Sequence, residues 1–377
     1  MKLKGHVKAV SQRNRNNRCC AVYSVTNSRG FTPSTDYFSK EIYSKDLSTY
    51  KLVEKGMIAY NPSRINVGSV ALQDKAECVI VSPLYVVFCV DETLLCPEYV
   101  TYFLKSEPGL RQIDFRSIGT VRNNFTFDAL EKMELRVPSV GDQLHVVSII
   151  RRVESVIEST KQKSNQLDDL VKSRFAEMFG DVDNTPYEIK SIQECCEKIK
   201  DGTHQTPTYV DKEAGGVMFL SSKNVVGGTI DWNTIKYIPF DLHEKLHQRV
   251  APRQGDILLA KNGTTGVCAI VDRDCVFDVY VSLAHIRPLK WMDSTYMWAA
   301  INADRTKEQF NSRLKGVGVP NLHLGEIKQT LIVVPPLALQ QEFANFVSQV
   351  DKLRFETQQQ IEKLETLKKS LMQEYFG

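Results

Sequence analysis

Mostly apolar residues recur at alternating steps of three and four along two stretches of the chain. In the first they are Val146, Ile150, Val153, Ile157, Thr160, Ser164, Leu167, Val171, Arg174 and Met178. In the second they are Phe343, Val347, Val350, Arg354, Thr357, Ile361, Leu364, Lys368, Leu371 and Tyr375. Such spacing predicts helices with one apolar stripe. Neither stretch has an internal Pro or Gly from 142 to 179 or from 338 to 376, and each closes on glycine, Gly180 or Gly377. Glycine is favoured just past a helix end. At 1.5 Å per residue, some 36 residues make a helix of ~54 Å. Thr, Ser, Arg and Lys interrupt both seams, which disfavours a homodimeric zipper. The expectation is that the two helices pack on each other within one chain, as an antiparallel coiled coil with faces left over for partner helices.

The two stretches are copies. At a shift of 197 and without a gap, Pro138 meets Pro335, Gln143 meets Gln340, Val153 meets Val350 and Thr160 meets Thr357. Leu167 and Leu170 then meet Leu364 and Leu367, and Phe179–Gly180 meets Phe376–Gly377. Upstream the match is looser: KGMIAY (55–60) with QGDILL (254–259), Val81–Ser82 with Val281–Ser282, and YVTYFL (99–104) with YMWAAI (296–301). Glycine-marked turns follow (Gly119; Gly316 and Gly318), then apolar strands ending at Pro138 and Pro335. Repetition at one long period implies a duplicated structural unit. Short β-branched strands and frequent turns predict two similar α+β domains, at 1–137 and 181–334, each followed by a long helix, at 138–180 and 335–377.

Composition narrows the class. A chain of 377 residues, 42% hydrophobic and 25% charged, is ordinary for a globular protein. The first ten residues lack the apolar run of a signal peptide, and no stretch approaches the length of a membrane span. Nine cysteines without a CxxC favour reduced thiols in a cytoplasm. The net charge of +3 is uneven: Lys2, Lys4, Lys8, Arg13, Arg15, Arg18 and Arg29 all precede the first acidic residue, Asp36. Residues 181–334, by contrast, carry 18 positive and 19 negative charges. The basic leader fits a phosphate-contacting surface, or else a solvated flexible terminus.

Several stretches carry a family resemblance: VYSVTNSRGF (22–31) with AYNPSRINVGSVAL (59–72), DGTHQTPTYV (201–210), FLSSKNV (219–225), GDILLAKNGTTG (255–266) and NLHLGEIKQTLIVVPPLALQQEF (321–343). In this order, across essentially the whole chain, they resemble the specificity subunit of type I restriction–modification systems. One junction departs mildly, with Pro138–Ser139 where the other has Pro335–Pro336. The resemblance implies two target-recognition domains separated by a helical spacer, binding of a two-part sequence in double-stranded DNA, and no catalysis on this chain. It also implies two methyltransferase subunits as partners, with motor–nuclease subunits joining them. S-adenosylmethionine, ATP and Mg would be held by those partners and no cofactor by this chain. Recognition domains of this family diverge freely, so the DNA word is not implied.

Base reading needs Arg, Lys, Asn, Gln, Ser and Thr on rigid protrusions. The candidates in the first domain are Arg13, Asn14, Arg15, Arg18, Asn61, Arg64, Asn66, Arg116, Arg122, Asn123 and Asn124. In the second they are His204, Gln205, Lys223, Asn224, Lys261, Asn262, Thr264, Thr265, Arg313, Lys315 and Asn321. A solvated loop position is the alternative for each. The near-neutral second domain predicts weak binding by the isolated chain.

Three motifs suggest chemistry instead. HEKLH (243–247) matches HExxH, in which His243 and His247 would bind zinc and Glu244 would be the base of a metallopeptidase. Pro239 and Pro252 confine its helix to about three turns, and Val250 and Arg253 stand where the extended motif has Gly and a third His, so no metal is expected. Asn61-Pro-Ser-Arg64 lacks the second Pro and the aromatic of the amino-methyltransferase motif, and KNGTTG (261–266) lacks the Lys-Ser/Thr of a P-loop and reads as a hairpin turn. A non-catalytic scaffold that organises proteins without reading sequence is the remaining alternative.

Overall fold

The computed structural model describes residues 1–15, 18–27, 29–37, 46–117, 124–315 and 320–377. Two compact units make up the chain: Met1–Gln162 with Gln358–Gly377, and Lys163–Thr357. Both are α+β. The two long helices are Val140–Phe179 and Leu337–Phe376, each 40 residues and 197 apart in register. Each gives one half to each unit, so each unit holds the start of one helix beside the end of the other.

The helix starts and ends follow local chemistry. Ser139 Oγ accepts from the backbone N–H of Asp142 at 3.2 Å and donates to its carboxylate at 2.6 Å, which caps the central helix. Gly180 takes φ +67°, and a Cβ there would lie 2.1 Å from the carbonyl of Asn184, so only glycine closes this end without strain. The heptad positions are inward: Val146, Ile150, Ile157, Thr160, Val171, Phe343, Val347, Val350 and Ile361 are buried and the others half-buried. Within the first unit the two helices run antiparallel, tied by Glu154–Lys368 (2.6 Å) and Lys161–Glu365 (2.9 Å). Within the second, Asp168–Arg354 (2.6 Å) and Arg174–Glu342 (3.6 Å) show the same arrangement. The polar interruptions of the seam are thus partly ion-pairing positions.

The units are built on one plan. A four-stranded antiparallel sheet in the first has the order Val7–Val10, Val86–Val90, Ile58–Tyr60, Val70–Leu72. In the second the order is Cys196–Asp201, Leu283–Pro288, Ile257–Ala260, Cys268–Ile270. Each third strand is entered through a glycine at positive φ, Gly56 (+88°) or Gly255 (+87°), as the sequence pattern predicts. The basic leader is woven into this sheet through Val7–Val10, and the Met1 ammonium donates to the Leu135 carbonyl at 2.7 Å. The reading of a flexible terminus is therefore wrong for its described residues. Val81–Ser82 is not the counterpart of Val281–Ser282: the first closes a strand, Cys78–Val81, whereas the second forms the turn between Tyr280 and Leu283 that leads into Leu283–Pro288.

From residue 97 onward the repeat is kept in atomic detail. Helices Pro97–Lys105 and Ser294–Asn302 coincide at the shift of 197. Gln143 Oε1 accepts from the Cys96 N–H (2.8 Å) and its Nε2 donates to the Pro138 carbonyl (2.9 Å). Gln340 does the same with Asp293 (2.8 Å) and Pro335 (2.9 Å). Gln112 clasps both backbone groups of Glu134, and Gln309 those of Leu331. Tyr99 donates to the Arg136 carbonyl and Tyr296 to that of Val333. Phe376 lies 4.8 Å from the Tyr99 ring, and Phe179 lies 4.9 Å from that of Tyr296. The helix ends thus plug equivalent cores: that of the first unit takes Met372 and Phe376, that of the second Phe175 and Phe179.

Candidate nucleic-acid interface

Above this common frame the units diverge, and most of the predicted reading residues lie in the divergent loops. In the second unit four loops are drawn together around Asp201. Its carboxylate takes Lys261 Nζ at 3.1 Å and Arg249 Nη2 at 3.0 Å, with His204 Nε2 at 3.3 Å. Lys261 N–H donates to the Ser282 carbonyl, Ser282 Oγ accepts from the Ser222 N–H, and Thr264 Oγ1 donates to the Val225 carbonyl. Asn262 and Lys315 each form a β-bridge with Asn321. These bonds bring His204, Lys223, Asn262, Thr264, Thr265, Lys315 and Asn321 into one neighbourhood. His204, Gln205, Lys223, Thr264 and Lys315 are exposed; Asn262, Thr265 and Asn321 are half-buried. Asn321 Oδ1 is buried and finds no hydrogen-bond partner among the described residues.

Two residues predicted to read DNA in this unit are structural. Lys261 is 6% exposed and neutralises Asp201 from inside, so its ammonium does not reach a phosphate. Asn224 is 4% exposed and closes a capping box with Ser221, its Oδ1 accepting from the Ser221 N–H at 2.9 Å. Two more are tied up in part. Arg313 donates to Thr330 Oγ1 (3.1 Å), and Lys315 donates to Glu326 (2.9 Å), a bond that holds the Glu326 carboxyl below its usual range. The structure adds residues that sequence reasoning missed. Arg249 is half-exposed and shares Asp201, while Lys236 lies 4.0 Å over the exposed Tyr209 ring. An exposed aromatic within the DGTHQTPTYV stretch was the available signal for the second pair.

In the first unit, Arg13, Arg15 and Arg18 are exposed on the loop after Val7–Val10. Arg13 bridges to Lys51, which it and burial hold below the usual lysine range, burial being the larger cause. Arg18 pairs with Glu54 at 3.1 Å. Asn14 is another correction: it is 1% exposed, and its amide spans the loop by donating to the Cys19 carbonyl and accepting from the Cys19 N–H. A buried loop turn needs such a side chain for its own backbone groups. Asn61 opens a turn by accepting from the Ser63 N–H, which carries the exposed Arg64 and half-buried Asn66. The Phe125 N–H bonds the Pro62 carbonyl and so sets the exposed Asn124 beside that turn. Arg116 is half-buried and leans over the exposed Phe115 ring. Arg122, Asn123, Gly119, Gly316 and Gly318 lie outside the described residues.

In HEKLH, helix Phe240–Arg249 turns His243 and His247 toward the buried Asp278, while Glu244 is exposed. Asn61 has its turn role, and the Lys261–Gly266 segment is a turn between strands Ile257–Ala260 and Cys268–Ile270.

Two domains of one plan carry unlike loops rich in amide, hydroxyl and cationic groups, the side chains that suit base reading. Comparison with known proteins identifies the family. The model of the type I restriction modification DNA specificity domain matches twice, over residues 14–169 and 184–366, and the chain belongs to that family as a non-catalytic specificity subunit. The Type I restriction enzyme MjaVIII specificity subunit of Methanocaldococcus jannaschii is 22% identical over 297 residues, 73% of this chain and 68% of that protein. A chain solved in work on complex assembly and conformational transition of the type I R-M system shares the fold, with TM-score 0.65 at 15% identity, covering 100% of this chain and 96% of that one. The S subunit of a type I restriction-modification system from M. genitalium has TM-score 0.54 at 13% identity, covering 100% and 95%. The scaffold and peptidase alternatives find no support in these likenesses. Among the described residues no helix is long and apolar enough to cross a membrane.

Proposed function

We propose that residues 1–137 and 181–334 are two target-recognition domains that each read one half of a bipartite DNA sequence. The helices at 138–180 and 335–377 set the gap and dock one methyltransferase subunit per copy. What supports this reading is the repeat itself. The frame from residue 97 onward repeats these individual hydrogen bonds, while the loops after the matched strands Ile58–Tyr60 and Ile257–Ala260 differ: Asn61 accepts from the Ser63 N–H, whereas Lys261 pairs with Asp201. A conserved frame suits an identical partner used twice, and unlike loops suit two different words. In the assembled system the partner subunits hold S-adenosylmethionine, and motor–nuclease subunits using ATP and Mg join them in the cytoplasm. The exposed candidates are Arg13, Arg15, Arg18, Arg64 and Asn124 in one domain and His204, Gln205, Lys223, Thr264 and Lys315 in the other, with Arg18, His204 and Lys315 each beside an acidic partner.

Inserting one heptad into each helix at equivalent positions, after Thr160 and after Thr357, tests the division of labour. Seven residues add about 10 Å of helix, the rise of about three base pairs. The methylated sequence should keep both half-words and widen only its gap. A change in either half-word would overturn the proposal.

A further inference from the structure

We propose that His243, His247 and Asp278 form a zinc-binding site in the second unit, joining helix Phe240–Arg249 to strand Phe277–Val279. The two histidines stand one helical turn apart on one face, and the strand presents Asp278 to both. His243 Nδ1 lies 2.7 Å from Asp278 Oδ2, and His247 Nδ1 lies 3.3 Å from Oδ1. One donor atom from each of the three residues falls within 4.8 Å of the others. The Asp278 side chain is 1% exposed, and the side-chain partners given for it among the described residues are these two imidazoles, with no Arg or Lys. A carboxylate so deeply placed needs positive charge beside it, and a divalent cation supplies that without protonating either ring.

The donor set selects the metal. Two imidazoles and one carboxylate suit zinc and similar transition ions; magnesium and calcium prefer oxygen alone. Ligands at ~2.0–2.2 Å in a tetrahedron stand about 3.3 Å apart. The His247–Asp278 separation already has that value, and His243–Asp278 needs to open by a side-chain adjustment. Each histidine would bind as the neutral ring through Nδ1, with its proton on Nε2. His243 is 12% exposed and His247 32%, so the outer side of the cluster admits a water as fourth ligand. Glu244 is exposed and is not one of the three clustered donors, and we read the site as a clamp joining helix to strand. The inference is independent of the DNA-reading proposal.

The test uses the full chain, stripped with chelator and dialysed against zinc, with bound metal counted by mass spectrometry. Nine free thiols compete for zinc, so the comparison is between variants. Wild type should hold one equivalent that His247→Gln and Asp278→Asn lose, each weakening affinity more than about 100-fold, since changes beyond the ligands alone cost 10–100-fold. Glu244→Gln should keep it. Zinc should raise the melting temperature of wild type and leave that of His247→Gln unmoved. His247 is partly exposed, so its variant remains informative if Asp278→Asn does not fold. Equal zinc content in wild type and His247→Gln, or no bound zinc in wild type, would overturn the proposal. So would a cobalt-loaded wild type whose spectrum shows thiolate ligation.

Discussion

Lys261→Met separates the structural from the DNA-facing reading of the KNGTTG turn. The substitution keeps most of the side-chain volume and removes the cation that sits 3.1 Å from Asp201. Asp201 is 7% exposed and would keep Arg249 at 3.0 Å and His204 at 3.3 Å, both of them on the solvent side. Removing one partner of a buried pair costs about 3–5 kcal/mol, and the remaining Arg249 puts this case near the lower end, about 3 kcal/mol. For a unit of this size that is a fall in melting temperature of about 6–12 °C. DNA binding by the assembled complex, measured below the transition, should keep its salt dependence, because no phosphate contact is lost. A lysine on a phosphate would instead lower the slope of log K against log salt by about 0.9. Lys223→Met on the exposed loop nearby is the contrast, with stability changed by less than ~0.5 kcal/mol and a shallower slope. If Lys261→Met leaves the melting temperature unchanged and lowers the slope by about one, the buried-pair reasoning is refuted.

Other outcomes follow from the same frame. Gln143→Leu and Gln340→Leu each strand a backbone N–H, the buried Cys96 or the half-buried Asp293, and should destabilise their own units by a similar ~1–3 kcal/mol in denaturant melts; very unequal losses would contradict the equivalence of the two frames. Phe179→Ala and Phe376→Ala should each cost about 3–5 kcal/mol, read as a shift of the urea midpoint for the unit whose tyrosine they face. Burial acts to raise the Asp256 carboxyl, but bonds from His285 (2.6 Å) and Arg287 (2.8 Å) outweigh it and hold the group at about 2, against an ordinary 3.8. That difference is worth about 2.4 kcal/mol, fully present above about pH 4 and lost as pH falls through 2. Arg287→Met should therefore move the acid-unfolding midpoint of the second unit upward; an unchanged midpoint would show that the pair does not govern it.

The helices and the repeat were legible because both are properties of periodicity. Spacings of three and four mark a buried stripe wherever it packs, and Phe179–Gly180 against Phe376–Gly377 marks the register directly. Matching Gln143 to Gln340 did not reveal their task, since the Cys96 and Asp293 N–H groups they satisfy lie 47 residues upstream in each copy. The candidate site was harder to read for a related reason. Asn14, Asn224 and Lys261 are polar residues in loops, and loop polarity serves the loop's own backbone and charges as often as a ligand. Which use applies depends on partners such as Asp201, 60 residues before Lys261, that no local pattern connects. HEKLH shows the same limit. Its spacing places two histidines on one face, and only the fold reveals that the third group is Asp278.

On the proposed function, this chain chooses the sequence its complex methylates, one half-word per domain. A genome-wide map of methylated adenine, made with the natural gene and with residues 181–334 exchanged for those of a relative, tests it most directly. The exchanged protein should give one bipartite motif that keeps the half-word read by the first domain, keeps its gap, and changes the other half-word. An unchanged motif, or one altered in both halves, would contradict it.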